Sequence, residues 1–273
     1  MHLQNPRENI VELTRLSPFE RFPDGRPRVP DDLLERVKQA TTEEAWRVLR
    51  DHGYHYQFEG NWLNLHPDQI LVGRAVTTVF LPMRPDLNDL VEEQGKVDGR
   101  IGAGKQNSWV IDTLVPGDVL VVDLRGKVKY GTFVGDNLST AVRARGGAGI
   151  VIDGGIRDLQ RVMRLPDFGV FIRGVDPTPI RDLTLAGINV PIQIGSATVL
   201  PGDVVLGTPT GVLFIPSHLV QEVVESSELV RLRDQFGQQR LREGRYTPGQ
   251  IDVGQWEPEI EADFLDWRRG RSG

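Results

Sequence analysis

The sequence predicts an α/β protein, and three observations carry that prediction. Short β-branched runs recur from Gln69 onward, at Val72, Ala75–Phe80, Val119–Val122, Gly149–Ile152 and Val170–Ile172, punctuated by Gly, Pro and Asp as strands are. Asn137–Arg145, between two of these runs, carries Leu138, Ala141 and Val142 at helical spacing, so Val119 to Ile152 reads strand, helix, strand. After Pro216 the apolar period turns helical through Leu219, Val220, Val223, Val224, Leu229, Leu232 and Phe236.

Taken in order, residues 1–30 are rich in Pro and Arg and read as an irregular arm. Pro30-Asp31-Asp32 opens a helix whose first-turn acids suit the helix dipole and whose apolar side is Leu33, Leu34 and Val37. Thr41 and Glu44 have the spacing of a capping box, which starts a second helix running to about Asp51. Pro-Gly-Asp occurs twice, at Pro116-Gly117-Asp118 and Pro201-Gly202-Asp203, each time feeding a β run. We read a repeated structural turn rather than two sites. Thr208-Pro209-Thr210-Gly211 reads as a turn within a strand pair ending at Ile215. The tail from Gly244 carries Tyr246, Trp256, Phe264 and Trp267 among acids; these rings need burial on the chain's own body or on a neighbouring subunit. The expected division is an arm with helices over residues 1–68, an α/β core over 69–216, and a helix and tail over 217–273.

Composition narrows the function. Of 273 residues, 39% are hydrophobic and 26% charged, as in a globular protein with a full core. No apolar run is long enough to span a bilayer, and the first residues are too polar for a signal peptide, so a cytoplasmic location and no membrane partner are expected. The absence of cysteine excludes disulfides, iron–sulfur clusters, cysteine-zinc sites and a thiol nucleophile. The net charge is −6 and the basic stretches Arg143–Arg145 and Arg231–Arg245 are short and interrupted, which argues against a nucleic-acid partner.

The densest functional signal is Gly135 to Asp158. Gly135-Asp136-Asn137-Leu138 is a glycine turn entering a helix, where backbone amides hold anions such as carboxylates. Asp153-Gly154-Gly155-Ile156-Arg157-Asp158 follows a strand whose end is where α/β sites collect. A cleft holding Asp136, Asp158 and Arg157 suits a hard divalent ion, a 2-oxo acid that chelates it, and a guanidinium facing the oxygen that turns negative in an enolate. The competing bland reading is turn chemistry and a surface ion pair.

The stretches Pro116–Asp123, Gly135–Ala141, Arg145–Asp158, Val170–Gly174, Ile188–Ile192 and Pro201–Pro216 resemble the RraA-like family, with coverage from about Asp31 to about Gly244. That family holds metal-dependent 4-hydroxy-4-methyl-2-oxoglutarate aldolases and a regulator of an RNA-degrading enzyme. Asp136, twenty intervening residues, then Arg157 and Asp158 match the spacing of the aldolase branch. The resemblance implies a swivelling β/β/α sandwich assembled as a homotrimer or homohexamer, with sites between subunits. It implies that Asp158 ligates Mg²⁺ or Mn²⁺, that Asp136 holds metal-bound water, and that Arg157 contacts the keto oxygen. The amides of Gly135, Asp136, Asn137 and Leu138 would bind the substrate carboxylate, and an acid from a neighbour's C-terminal helix, with Asp234 preferred over Glu228 and Glu243, would enter the site. The implied activity is cleavage or decarboxylation of small 2-oxo acids through a pyruvate enolate. The arm, the insert around Tyr54–Asn64 and the segment Asp86–Trp109 depart from compact aldolases and bear on the substrate.

Other chemistries fit less well. A Schiff-base aldolase needs a lysine in an apolar pocket, and Lys127 and Lys129 fall in a polar turn after Arg125-Gly126. His52 and His55, three apart on a helical turn, supply too few ligands for a metal. Gly102-Ala103-Gly104-Lys105 lacks the full phosphate-loop spacing and reads as a loop near the site. Trp62 and Trp109 read as core or interface. The rival readings are a metal-free, protein-binding regulator and a sugar-acid dehydratase or lyase on the same scaffold.

Overall fold

The structure, a computed structural model, describes residues 2–100 and 106–271. The Gly102–Lys105 stretch lies outside the described residues. The chain runs through α1 (Arg7–Leu13), α2 (Asp31–Val37), α3 (Thr42–Asp51), β1 (Phe58–Glu59), β2 (Leu63–Asn64), β3 (Leu71–Pro82), α4 (Pro85–Val97) and α5 (Gln106–Ile111). It continues through β4 (Asp118–Val134), α6 (Asp136–Ala144), β5 (Gly149–Ile156), α7 (Leu159–Val162), β6 (Gly169–Val175), β7 (Leu183–Ile188), β8 (Ile192–Ile194) and β9 (Ala197–Val199). It ends with β10 (Val204–Thr208), β11 (Gly211–Ile215), a 3-10 turn at Ser217–Leu219, α8 (Val220–Arg242), α9 (Pro248–Ile251) and α10 (Pro258–Arg269).

Among the described residues one nine-stranded sheet runs in the order β1-β11-β10-β3-β4-β5-β6-β2, with β7 added on β3. The central pairs β3–β4, β4–β5 and β5–β6 are parallel; the flanking pairs are antiparallel. Parallel strands need both faces covered, and side-chain alternation shows how this is met. Val76, Leu120, Val122, Ile150 and Ile152 pack with Val91, Trp109, Val142 and Val162 of α4 to α7. Further along the same face, Val72, Val204 and Leu206 pack with α2, α3 and α8. The alternate residues Ala75, Val119, Val121, Val151 and Val205 face Ile192, Ile194, Ala197 and Val199 of the β8–β9 hairpin. The layers are therefore hairpin, sheet and helices, which is the predicted β/β/α sandwich.

Several local expectations hold. Thr41 caps α3 reciprocally: its Oγ1 accepts from the Glu44 N–H at 3.2 Å, and its own N–H donates to Glu44 Oε2 at 2.9 Å. Thr208 pairs with Gly211 across the β10–β11 turn. Trp109 is core, and Trp62 stacks on Arg173, whose guanidinium carbon lies 3.8 Å from the ring centroid. The tail rings dock on the chain's own α8, where Phe236, Trp256, Ile260 and Phe264 form a satellite core. Others change. The arm contains the helix α1, which carries a single buried residue, Ile10, and so has no apolar period to read. His52 and His55 do not share a helical turn, because α3 stops at Asp51 and Gly53 takes φ +84°. His52 Nε2 instead meets Glu222 at 2.9 Å. Lys127 and Lys129 lie within β4, which continues through Arg125 and Gly126 with both in the left-handed region.

Candidate active site

The chain order of β4, α6, β5 and α7 sets two helix starts side by side at the ends of parallel strands. Arg157 N–H donates to Val134 O at 3.1 Å, which ties the end of β5 to the end of β4. Asp136 begins α6 and Asp158 precedes α7. The two are neighbours: the Asp136 N–H lies 3.4 Å from Asp158 Oδ2. Arg157 Nε lies 3.6 Å from the same oxygen. All three residues singled out in the sequence therefore fall in one place.

Gly135 makes that closeness geometrically possible. A Cβ there would sit 2.2 Å from Asp158 Oδ2 and 3.1 Å from Arg157 Nε. Asp158 itself is in the left-handed region at φ 58°, ψ 37°. A non-glycine residue pays about 1 kcal/mol or more for that conformation, and such strain concentrates at functional positions.

The carboxylates are not equivalent. Asp136 Oδ2 accepts from Arg161 Nη1 at 2.7 Å and its Oδ1 accepts from the Asn137 N–H at 2.9 Å. The Arg161 bond, then the Asn137 amide, holds the Asp136 carboxyl below the usual carboxylate range, and Asp136 in turn raises Arg161. Among the described residues the Asp158 carboxylate makes two long contacts, those just given, and also feels the charge of Arg161; its side chain is 39% exposed, which leaves it open to a cation. The start of α6 already attracts two carboxylate oxygens of the protein itself, as a helix N-terminus does.

These groups open onto a cavity of about 350 Å³ lined by Asn107, Thr132, Gly135, Leu138, Arg157 and Ile180 among others, with Asp136 and Asn137 on its wall. Asp158 is the neighbour of the lining residue Arg157, and its Oδ2 lies against Gly135. Asn107, which the sequence did not suggest, is fixed by its Nδ2 donating to Phe133 O at 2.7 Å. Thr132 is fixed by its hydroxyl donating to Thr178 O. Arg161 was also not anticipated. Its pairing depends on α7 turning back beside α6, which no local pattern announces.

A larger cavity, about 630 Å³, lies by Asp123, Arg125, Asp153 and Gln193. Asp153 there is already paired with Arg173 at 2.7 Å, and Arg173 also holds Glu59 at 2.8 Å. Those carboxylates are thus closely engaged with a cation of the chain itself, unlike Asp158 beside the smaller cavity. Asp234 lies elsewhere in the chain. It is exposed on α8, which packs with α2, α3, α9 and α10, whereas Val142 of α6 belongs to the other helical core. Of the alternatives, Glu228 is taken by Arg36 at 2.8 Å and Glu243 by Arg240 at 2.8 Å.

The family model RraA-like, Aldolase/RraA, matches residues 32–214, well over half of the chain. The chain belongs to the RraA-like family. A protein of Halalkalibacterium halodurans provisionally named 4-hydroxy-4-methyl-2-oxoglutarate aldolase is 32% identical over 120 residues, 44% of this chain and 56% of that protein. The matched part thus spans only about half of that relative's length. An uncharacterized protein of Methanocaldococcus jannaschii is 28% identical over 195 residues, 65% of this chain and 93% of the other. Among solved structures, Streptomyces coelicolor RraAS2, described as an unusual member of the RNase ES inhibitor RraA family, superposes with a TM-score of 0.67 at 27% identity. That superposition covers 78% of this chain and 100% of the other. Asp136, Arg157 and Asp158 lie inside the RraA-like match; Asp234, the aromatic tail and α1 lie outside it.

Proposed function

We propose that this RraA-like protein is a divalent-metal-dependent lyase that cleaves or decarboxylates small 2-oxo acids through a pyruvate enolate. The observation that carries the reading is that Asp136 and Arg157 line one cavity while Asp158 Oδ2 lies within 3.6 Å of both, at two helix starts. The aldolase names carried by relatives support the substrate class.

The donor set fits Mg²⁺ or Mn²⁺. The lining carries a carboxylate and no histidine, and the chain has no cysteine, a donor set that suits a hard cation better than zinc. Two carboxylates fit an ion that keeps several waters and completes its shell with substrate oxygens. Asp158, loosely engaged, is the ligand; Asp136, fixed by Arg161, stands beside it as an orienting charge. When bound, the ion supplies a Lewis acid at the substrate's keto oxygen.

The chain's own groups do the rest. Arg157 is half-exposed and at the cavity, where its guanidinium faces the developing oxyanion and cannot lose its proton. The start of α6 at Gly135–Leu138 receives the substrate carboxylate. Asp234 enters from a neighbouring subunit of a homotrimer or homohexamer.

The test is pyruvate release from oxaloacetate and from 4-hydroxy-4-methyl-2-oxoglutarate, with Mg²⁺ and with EDTA. Metal-dependent pyruvate from either substrate is the expected result. Arg157→Ala lowers kcat by about 10²–10³ while leaving the circular dichroism spectrum unchanged. Asp158→Ala weakens Mn²⁺ binding in calorimetry. Absence of metal-dependent pyruvate would overturn the reading in favour of a metal-free, protein-binding regulator, the role that the likeness to RraAS2 suggests.

A further inference from the structure

The second Pro-Gly-Asp turn leaves a buried carboxylate without a counter-charge at the edge of a cavity. Asp203 is 4% exposed. Its Oδ2 accepts from the Leu200 N–H at 2.8 Å, as Asp118 Oδ2 accepts from the Val115 N–H at 2.9 Å in the first turn. There the likeness ends. Asp118 takes both Nη atoms of Arg26, at 2.9 and 3.1 Å, whereas among the described residues no cation pairs with Asp203.

The cavity beside Asp203 has a volume of about 260 Å³. Leu13, Leu16, Leu200 and Pro216 form its apolar wall, and Tyr54 and His218 its polar wall. Neither nearby base supplies the missing charge. Arg21 is turned to Thr14 O and Gly25 O, at 2.8 and 3.0 Å. His218 meets Tyr54 Oη at 3.2 Å, and burial, with His52 nearby, holds it below the usual imidazole range. Leu13, Leu16 and His218 lie outside the residues matched to the family, so the cavity is made between the matched core and segments outside the match.

We propose that this cavity binds a small organic cation, a protonated amine or guanidinium on a short apolar chain, with Asp203 as its counter-charge. The first turn is the internal precedent, since it shows a carboxylate of the same turn type seating a guanidinium end-on. An apolar chain behind the cationic head then lies against the leucines. The site is separate from Asp136, Arg157 and Asp158 and stands whether or not these residues cleave 2-oxo acids.

Calorimetric titration of the full chain with n-butylguanidinium chloride at pH 8, against n-butanol as the uncharged probe, tests it. Butylguanidinium should bind saturably and about tenfold or more tighter than butanol, and Asp203→Asn should abolish that preference. Binding should weaken at pH 6, because burial pushes the Asp203 carboxyl up to about 7 and the cation must displace its proton. Leu16→Trp, from the exposed rim, should narrow the cavity and weaken binding without disturbing the fold. Equal affinity for the two probes would overturn the proposal. So would wild-type affinity in Asp203→Asn or, where that variant fails to fold, in Leu16→Trp.

Discussion

Asp118 and Asp203 occupy the same place in the same kind of turn, on either side of β3, and their surroundings are opposite. Arg74 of β3 is in register with Asp118 across the parallel pair, but with Val204 across the antiparallel one. Asp203 therefore falls one row along, beside Ala75, whose N–H donates to Asp203 O at 2.8 Å. A single residue of offset moves a side chain to the other face of a sheet. Asp118 lies on the helix-covered face with Arg26 and Arg74, and Asp203 lies on the hairpin face, where Leu200 supplies one amide and, among the described residues, no cation follows. A repeated motif thus repeats the turn but not its electrostatics; register with the neighbouring strand decides which copy is neutralised.

The largest expected effect tests the neutralised copy. Asp118→Ala would leave Arg26, 1% exposed, and Arg74, 3% exposed, with their shared buried partner gone. A loss of about 3–5 kcal/mol in urea unfolding is expected. A loss comparable to that of a surface mutation would mean that the two turns do not differ as described.

The second test uses pH. Asp203 is raised by burial from 3.8 to about 7, so the folded chain keeps a proton that the unfolded chain releases. Its contribution to stability is intact below about pH 4, falls as pH rises towards 7, and is level above that. Asp203→Asn removes this loss, so at pH 8 the variant should be more stable than wild type by up to about 4 kcal/mol, with the gap closing near pH 4. A variant less stable at pH 8 would contradict an uncompensated carboxylate.

The smallest effect sharpens the role of burial. Asp31 Oδ1 also meets Arg74 Nη1, at 2.7 Å, but its side chain is 84% exposed. Asp31→Asn should cost less than about 1 kcal/mol, most of it lost in high salt. An effect equal to that of Asp118→Ala would place the stabilisation at Arg74 rather than at the buried pair.

Much of the fold was legible because its signals are local. The capping box at Thr41 and Glu44, the strand runs from Val72 to Ile172, and the turn at Thr208 each need only a few consecutive residues. Asp136, Arg157 and Asp158 were legible as a helix start and a strand end of one strand–helix–strand unit, and their spacing through the family resemblance. What escaped the sequence depends on contacts between distant segments. Arg161 reaches Asp136 only because α7 begins beside α6. Asn107 reaches the cavity through Phe133 O. The two Pro-Gly-Asp turns read alike because parity against a third strand is invisible in either of them. α1 escaped because its one buried side chain leaves no period.

The length of α8 has a further consequence. Its 23 residues extend roughly 35 Å, enough for one rod to enter two cores. Val220, Val223 and Val224 belong to the body, while Phe236 joins Trp256, Ile260 and Phe264 in the tail. The tail cluster, small and held to the rest through a single helix, is the unit expected to open first. Deuterium should therefore enter the amides of α9, α10 and the end of α8 before those of β4 and β5. Trp256 and Trp267 place fluorescent reporters on that early step, apart from Trp109 in the body.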